Sequence, residues 1–379
     1  MLNYDYIILG TGAAGLSLVL RMIESPFFIG KKILLIDKDP KARNDRTWCF
    51  WEKASGFFEE IVHKKWDRLS FLGDGYSGEL DIQPYQYKMI RGIDFYAYCL
   101  GKISKHPGID IIYGDVRSVV THPHEIIIHL SDRQLHCHPA IVFNSIYSPS
   151  DPSKKELKLL QHFKGWVIES PQANFKHDAA TLMDFRIHQQ HGTSFMYVLP
   201  TAQNRALIEY TLFTPQLLEP QQYDKELRNY ISSVLKLENY EVKEEEFGII
   251  PMTNAKFNFF ENGMYNIGVA GGQTKPSTGY TFQFIQKQSD LIVDALTANK
   301  PLTALLPVPK RFHFYDSVLL QLLVSKKLGG KEIFTRMFSR NKASQIFKFL
   351  DNETTIFEEL RLISTLQTTP FLKAALQLV

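Results

Sequence analysis

The tightest constraint on this 379-residue chain lies in its first 37 residues. Tyr4–Leu9 is an apolar, β-prone run followed at once by Gly10-Thr11-Gly12-Ala13-Ala14-Gly15. Leu16, Val19, Leu20 and Ile23 then recur at helical spacing as far as Ser25-Pro26, and Lys32–Ile36 is a second apolar run ending at Asp37. Strand, glycine turn, helix and strand make a βαβ unit. In that setting G-x-G-x-x-G has a definite use. Gly10 permits the tight turn, Gly12 lets the backbone approach a pyrophosphate, and Gly15 lets the helix pack on the strand. Ala13 and Ala14 open a helix whose N-terminus attracts the anion. Asp37 stands 22 residues beyond Gly15, where an acid accepts hydrogen bonds from an adenosine ribose. The pattern fits NAD and FAD equally.

A second glycine segment, Gly268–Tyr280, follows an apolar run at Tyr265–Ala270 and precedes a helical pattern over Thr281–Ala298. Pro276 suits a helix start, and Ser277 or Thr278 suits a cap. Two such segments far apart in sequence suit a large, folded-over dinucleotide such as FAD. Between them, 69–89, 109–130 and 140–143 read as strands, and 93–103 as a helix. A second strand set lies at 166–169, 181–185, 196–199 and 206–212, with a helix over 221–236, and buried-strand character returns at 248–252. The two prolines in Ser148–Ser153 mark a crossing between units.

Composition narrows the function classes. With 44% hydrophobic and 22% charged residues the chain is globular. A net charge of +3 is too balanced for a dedicated nucleic-acid binder. Cys49, Cys99 and Cys137 form no C-x-x-C pair, and the histidine pairs His122/His124 and His136/His138 fit the polar face of a sheet, so no metal site is expected. An odd thiol count without a secretory start points to a reducing compartment. No apolar run is long enough to span a bilayer.

Several further segments identify the chain as similar to the bacterial, CrtY-like lycopene β-cyclases. They are Asp5–Gly10, Asn44-Asp45-Arg46-Thr47-Trp48-Cys49-Phe50-Trp51, Leu182–Arg186, Phe195–Pro200, Leu207-Ile208-Glu209-Tyr210-Thr211, Gly248–Met252 and Lys275-Pro276-Ser277-Thr278-Gly279-Tyr280. The resemblance implies an enzyme that converts lycopene through γ-carotene to β-carotene, without net redox change, using reduced FAD with NAD(P)H as reductant. An FAD-dependent monooxygenase or polyprenyl reductase of the same fold is the alternative, and a carotenoid-binding scaffold without turnover is a third reading. The resemblance assigns the acid role to Glu209, on an apolar strand-like run, while Asp184 and Trp48 join it as catalytic candidates. A second acid expected after Glu209 is replaced by Tyr210, which could orient it. Arg46, Arg91 and Lys275 are expected to face the flavin or its phosphates. Lys38, Val116, Gly271, Gly272, Pro276, Ser277, Thr278 and Gly279 complete the expected cofactor set.

The implied fold is α/β: a three-layer, Rossmann-like FAD domain of the glutathione-reductase type (1–60, 90–150 and 248–300). An antiparallel-sheet substrate domain (61–89 and 151–247) and a C-terminal helical region (301–379) are expected beside it. Lycopene is insoluble in water, so peripheral contact with the inner face of the cell membrane is expected, with the protein on the cytoplasmic side. The stretch Lys326–Lys348 is the candidate docking surface, with seven basic residues, one acid, Glu332, and the interleaved Phe334, Met337, Phe338, Ile346 and Phe347.

Overall fold

The structure is a computed structural model that describes residues 1–148, 156–305 and 309–378. The expected crossing at Ser148–Ser153 lies, from Pro149 on, outside the described residues. The first layer set is built on β1 (Tyr6–Leu9), β2 (Ile33–Asp37), β8 (Ile109–Tyr113), β12 (Ile141–Asn144), β18 (Phe260–Glu261) and β19 (Met264–Asn266). These pair in the order β18-β19-β12-β1-β2-β8, parallel except at the β18 edge. The chain leaves β1 with β2 on one side and β12 on the other. That makes the carboxyl end of β1, where Gly10 sits, a topological switch point and the place where such sheets bind ligands.

Alternation on β1 explains the layers. Tyr6 and Ile8 face a core shared with α1 (Ala13–Glu24), α2 (Gly92–Ile103) and α4 (Phe282–Thr297). Ile7 and Leu9 face a three-stranded antiparallel sheet of β9 (Val116–Thr121), β10 (Ile126–Leu130) and β11 (Gln134–Cys137). Helices, parallel sheet and small sheet form the expected three layers.

The second unit is a seven-stranded sheet. Its strands are β5 (Arg68–Gly73), β6 (Tyr76–Asp81), β13 (Lys158–Glu169), β14 (Ala179–Asp184), β15 (Thr193–Ala202), β16 (Arg205–Thr214) and β17 (Glu241–Thr253), in the order β17-β13-β16-β15-β14-β5-β6. One face packs on α3 (Pro220–Ser233). The other contributes to a core with a three-stranded sheet, β3 (Thr47–Glu52), β7 (Gln86–Arg91) and β4 (Lys64–Trp66), and with the C-terminal helices. Those helices are α5 (Lys310–Ser325), α6 (Gly330–Arg340), α7 (Ala343–Leu350), α8 (Ile356–Ser364) and α9 (Thr368–Leu376).

Four expectations are corrected. Gly248–Met252, grouped with the cofactor unit, is the end of β17 and pairs with β13 in the seven-stranded sheet. The run Tyr265–Ala270 is strand only to Asn266, because Gly268 at φ +60° turns the chain out of the sheet. Pro276 does not start a helix; Lys275–Gly279 is a turn closed by Gly279 N donating to Lys275 O at 2.9 Å, and α4 begins at Phe282. Within Lys326–Lys348 the interleaved Phe334, Met337, Phe338, Ile346 and Phe347 are all buried in the core, so this stretch presents no apolar side of its own to a membrane. Among the described residues no helix is long and apolar enough to cross one.

Candidate active site

The glycine turn has the shape its sequence requires. Gly10 sits at φ +88°, and a Cβ there would overlap Ser145 Oγ. A Cβ on Gly15 would overlap Gly10 O, which is how closely α1 approaches the turn. Gly12, the N-cap of α1, differs: a Cβ there would meet nothing within 4 Å. The first turn of α1, through Ala13 and Ala14, therefore opens on free space, which suits a pyrophosphate against unpaired backbone N–H groups. Gly268 packs on Ala14 so tightly that a Cβ on it would overlap Ala14 Cβ, which brings the two glycine segments together. Thr278 Oγ1 is buried without a partner in the second segment. A cradle with room for an anion fits a dinucleotide.

Asp37 ends β2 as expected, and its carboxylate is tied in place. Thr11 N donates to Oδ2 at 2.6 Å, Asp39 N donates to Oδ1 at 2.8 Å, and Lys41 Nζ lies 3.2 Å from Oδ1. Burial pushes its pKa up, but these three contacts outweigh burial and hold it below the ordinary carboxylate value. Lys38 beside it is exposed. Gly114 N donates to Asp37 O at 2.9 Å and leads to Val116, half-buried at the start of β9.

The acid site is a row across the second sheet. Glu209 on β16 pairs with Gly165 on β13 and with Tyr197 on β15, and Gly165 pairs in turn with Glu246 on β17. Glu246, Gly165, Glu209 and Tyr197 therefore share one face. The two glutamates stand two strand spacings apart, about 9.5 Å. Gly165 leaves the gap between them open: a Cβ there would lie 2.9 Å from Leu207 Cδ1 and 3.0 Å from Glu246 Cγ. The side chain of Glu246 leans over the bare glycine, and the two carboxyls come within hydrogen-bonding reach of each other.

Burial pushes the Glu209 carboxyl well above its ordinary value, and the nearby Glu246 pushes the same way; Thr211 Oγ1, donating to Glu209 Oε1 at 2.6 Å, opposes them. Removing a carboxylate from water costs several kcal/mol. One hydrogen bond to it returns roughly 1.5–3 kcal/mol, so burial wins and the carboxyl is held above its ordinary value. Glu246 is also raised by burial, against the 2.7 Å bond from Thr47 Oγ1 to its Oε2. Its Oε1 is buried with no hydrogen-bond partner. Beyond Glu246 lies a small polar cleft of about 30 Å³, lined by Thr47, His63, Arg91, Arg205 and Glu244 and large enough for a water molecule.

Around Glu209 the walls are aromatic. Cys49 faces it from β3, and the phenol of Tyr280 lies beside those of Tyr87 and Tyr197. Trp51 packs edge-on to Tyr280 at 4.5 Å and stacks on Phe347 at 4.4 Å. Strand alternation thus turns Thr47, Cys49 and Trp51 toward Glu209 and Glu246. Trp48, the expected catalytic aromatic, turns the other way onto Phe95, Tyr96 and Phe282.

Other expected residues go elsewhere for equally local reasons. Asp184 is fully buried, accepts from Tyr230 Oη at 2.7 Å and pairs with Arg186 at 2.7 Å, on the α3 face and across the sheet from Glu209. Tyr210 also faces α3, beside Tyr223, and cannot orient Glu209. Lys275 Nζ is buried against Asp316, 3.0 Å from Oδ1, and bonds Asn352 Oδ1 at 2.8 Å. Ser277 Oγ donates to Asp316 Oδ1 at 2.6 Å. Both polar groups thus fasten the second glycine segment to the C-terminal helices. Arg46 is exposed and forks onto Asp45, and Arg91 caps α2, bonded to Asp94 at 2.7 and 2.8 Å. Pro276, Gly271 and Gly272 are half-buried in the loop after β19.

A parallel three-layer unit with a glycine turn at its switch point, beside a large sheet that is antiparallel except where β14 meets β5, is the FAD-binding fold of flavin-dependent oxidoreductases. A geranylgeranyl bacteriochlorophyll reductase-like protein from Thermoplasma acidophilum has it, at TM-score 0.64 and 12% identity, with 100% of each chain covered. A flavoprotein/dehydrogenase from Cytophaga hutchinsonii has it too, at TM-score 0.65 and 11% identity, with 99% of this chain and 98% of that one covered. The sequence is 21% identical over 397 residues to a lycopene beta-cyclase of Pantoea ananas, covering 100% of this chain and 98% of the relative. The family described as lycopene cyclase protein matches residues 5–376. The chain belongs to the lycopene cyclase family.

Proposed function

We infer that the chain is a lycopene β-cyclase that closes the ψ ends of lycopene, through γ-carotene, to β-carotene, with reduced FAD bound and NAD(P)H as the source of its electrons. The observation that carries this reading is the pair Glu209–Glu246, drawn together over Gly165 beside Tyr197 and Tyr280. An alkene is a weak base and needs a strong, correctly placed acid. A buried, neutral carboxylic acid is one.

Glu209 gives its proton to the terminal C=C of the substrate, leaving a tertiary cation on the adjacent carbon. The nearby internal double bond closes onto that cation, and loss of one proton from the new ring leaves the product alkene. One proton enters and one leaves, so the pair is restored without an external oxidant or reductant. Glu246 holds the proton in place at Glu209, and Thr47 and the polar cleft link Glu246 to water. The faces of Trp51 and Tyr280 attract a cation without trapping it as a nucleophile would. Gly12, Ala13, Ala14 and Asp37 would hold the dinucleotide. Reduced FAD, when bound, supplies negative charge near the cation.

The test is anaerobic turnover. The flavin-loaded, reduced protein is given lycopene in lipid vesicles, and pigments are separated by chromatography. Ring-bearing product formed without oxygen or net NAD(P)H consumption supports the cyclase. Product that requires oxygen, or stoichiometric NADPH, would overturn it in favour of a monooxygenase or reductase.

A further inference from the structure

The apolar side chains of α8 and α9 are not all covered. Phe357 is 85% exposed and Leu376 76%, and Ile356, Leu360 and Leu372 are each more than half exposed. Exposed apolar residues are ordinary singly, but a cluster is not. On α8, Phe357, Leu360, Arg361 and Ser364 recur at i, i+3, i+4 and i+7 and so share a side; on α9, Leu372 and Leu376 stand one turn apart.

Both helices border a cavity. Ser364 and Leu372 are exposed and also line a cavity of about 290 Å³ between the C-terminal helices. Its walls are almost wholly apolar, with Phe314, Leu319, Met337 and Phe349 among them. Ser277 and Thr278, both buried, line its inner part, and Tyr280, two residues further along the chain, lies near Glu209. The cavity thus runs from an apolar surface to the second glycine segment.

Charge distinguishes what could cover that surface. The acids of α8 are engaged: Glu358 bonds Lys348 at 2.7 Å, and Glu359 is buried against Arg311 at 3.0 Å. Helix α9 has none, while Arg361 and Lys373 are exposed. Apolar side chains flanked by free cations complement an anionic lipid surface.

We propose that the α8–α9 face lies on an anionic bilayer and that the cavity behind it takes up the chain of a polyisoprenoid hydrocarbon directly from the lipid, leading its end toward Glu209. This rests on the reading of Glu209 as the cyclising acid. It moves the lipid contact from Lys326–Lys348, whose aromatic residues are buried, to the following two helices. The substrate never has to cross water.

The full-length, flavin-loaded protein tests both halves. For the face, co-sedimentation with vesicles of phosphatidylglycerol and phosphatidylcholine is compared between the parent and a Phe357→Ser, Leu360→Ser, Leu376→Ser variant. All three positions are exposed, so folding, checked by flavin absorbance, is not at stake. Binding at least tenfold weaker is expected; equal binding overturns the face. For the cavity, lycopene delivered in detergent is followed as polyene absorbance co-eluting with the protein in gel filtration. Ser364→Phe, on the exposed rim, and Ala375→Phe, inside, are each expected to cut retained lycopene at least fivefold with flavin content unchanged. Parent-level retention in both overturns the cavity. If the parent retains lycopene but forms no ring, the cyclase reading fails and the cavity stands. If both Phe variants form rings at the parent's rate, the cavity falls and the cyclase reading stands.

Discussion

Glu209 and Glu246 stand in one row of the seven-stranded sheet with only the backbone of Gly165 between them. Any side chain at position 165 would separate them. Two carboxyls that meet in a buried place cannot both ionise cheaply, so their proximity keeps a proton in the site. The pair titrates as a unit, and each partner's behaviour depends on the other.

Gly165→Val tests that arrangement. The new side chain must displace Leu207 and the stem of Glu246, at a cost of about 1–3 kcal/mol from overpacking. The protein is expected to fold and hold flavin but to cyclise at least tenfold more slowly. Steady-state turnover beside flavin absorbance reads this, and Gly165→Ala is expected to fall between.

Glu246→Gln removes a charge while keeping a hydrogen-bonding group. The Glu246 charge raises the Glu209 pKa, so its loss lets Glu209 ionise at lower pH. The alkaline limb of the pH–rate profile is expected to move toward neutrality, with little change in KM. A profile that keeps its position would make Glu246 a packing residue only.

The two glycines of the first turn are expected to respond differently. Gly12→Val projects into open space, so the fold should persist while flavin content drops severely. Gly15→Val drives Cβ into Gly10 O and should abolish soluble, folded protein. Circular dichroism and flavin absorbance on both variants separate a cradle from a packing contact.

Asp184→Asn should act on stability rather than on the reaction. It weakens the bonds from Tyr230 and Arg186, and because Arg186 is partly exposed the cost is roughly 1–3 kcal/mol. The expected result is a lower Tm with turnover per folded, flavin-bound molecule unchanged.

Glu209→Gln should abolish cyclisation, by a factor on the order of 10²–10⁴, and alter stability with a defined sign. The folded pKa lies above the ordinary 4.5. Between those values the folded state binds a proton that the unfolded state does not, so stability falls as pH rises through that window. The glutamine variant has no such loss. Its Tm should match the parent near pH 4 and exceed it increasingly toward pH 8.

The first unit was legible because its signals are local. Tyr6–Leu9, the glycines, Ala13–Glu24 and Ile33–Asp37 lie within one short stretch, and their periodicity and turn chemistry suffice. The acid site was half legible. Glu209 is singled out by the family resemblance, since its apolar run alone reads equally as a strand with one exposed acid, and Glu246 sits in Glu244-Glu245-Glu246, which reads as a solvated surface. Only the register of β17 on β13 and β13 on β16 brings it to Glu209, and register over long strands is not written in any one segment. The same limit misled at Trp48 and Asp184. Sequence puts both near the site, but alternation and a bulge between β14 and β15 decide which face each occupies. Lys275 and Ser277 were misread because their partner, Asp316, lies about 40 residues away on α5.

The central claim is that Glu209 is a neutral acid where the reaction occurs, and its carboxyl can be watched directly. The infrared difference spectrum between the flavin-loaded parent and Glu209→Gln, taken across pH, isolates it. A protonated carboxylic acid C=O band at pH 7, present in the parent and missing in the variant, is expected. A Glu209 that appears at pH 7 only as an ionised carboxylate would contradict it.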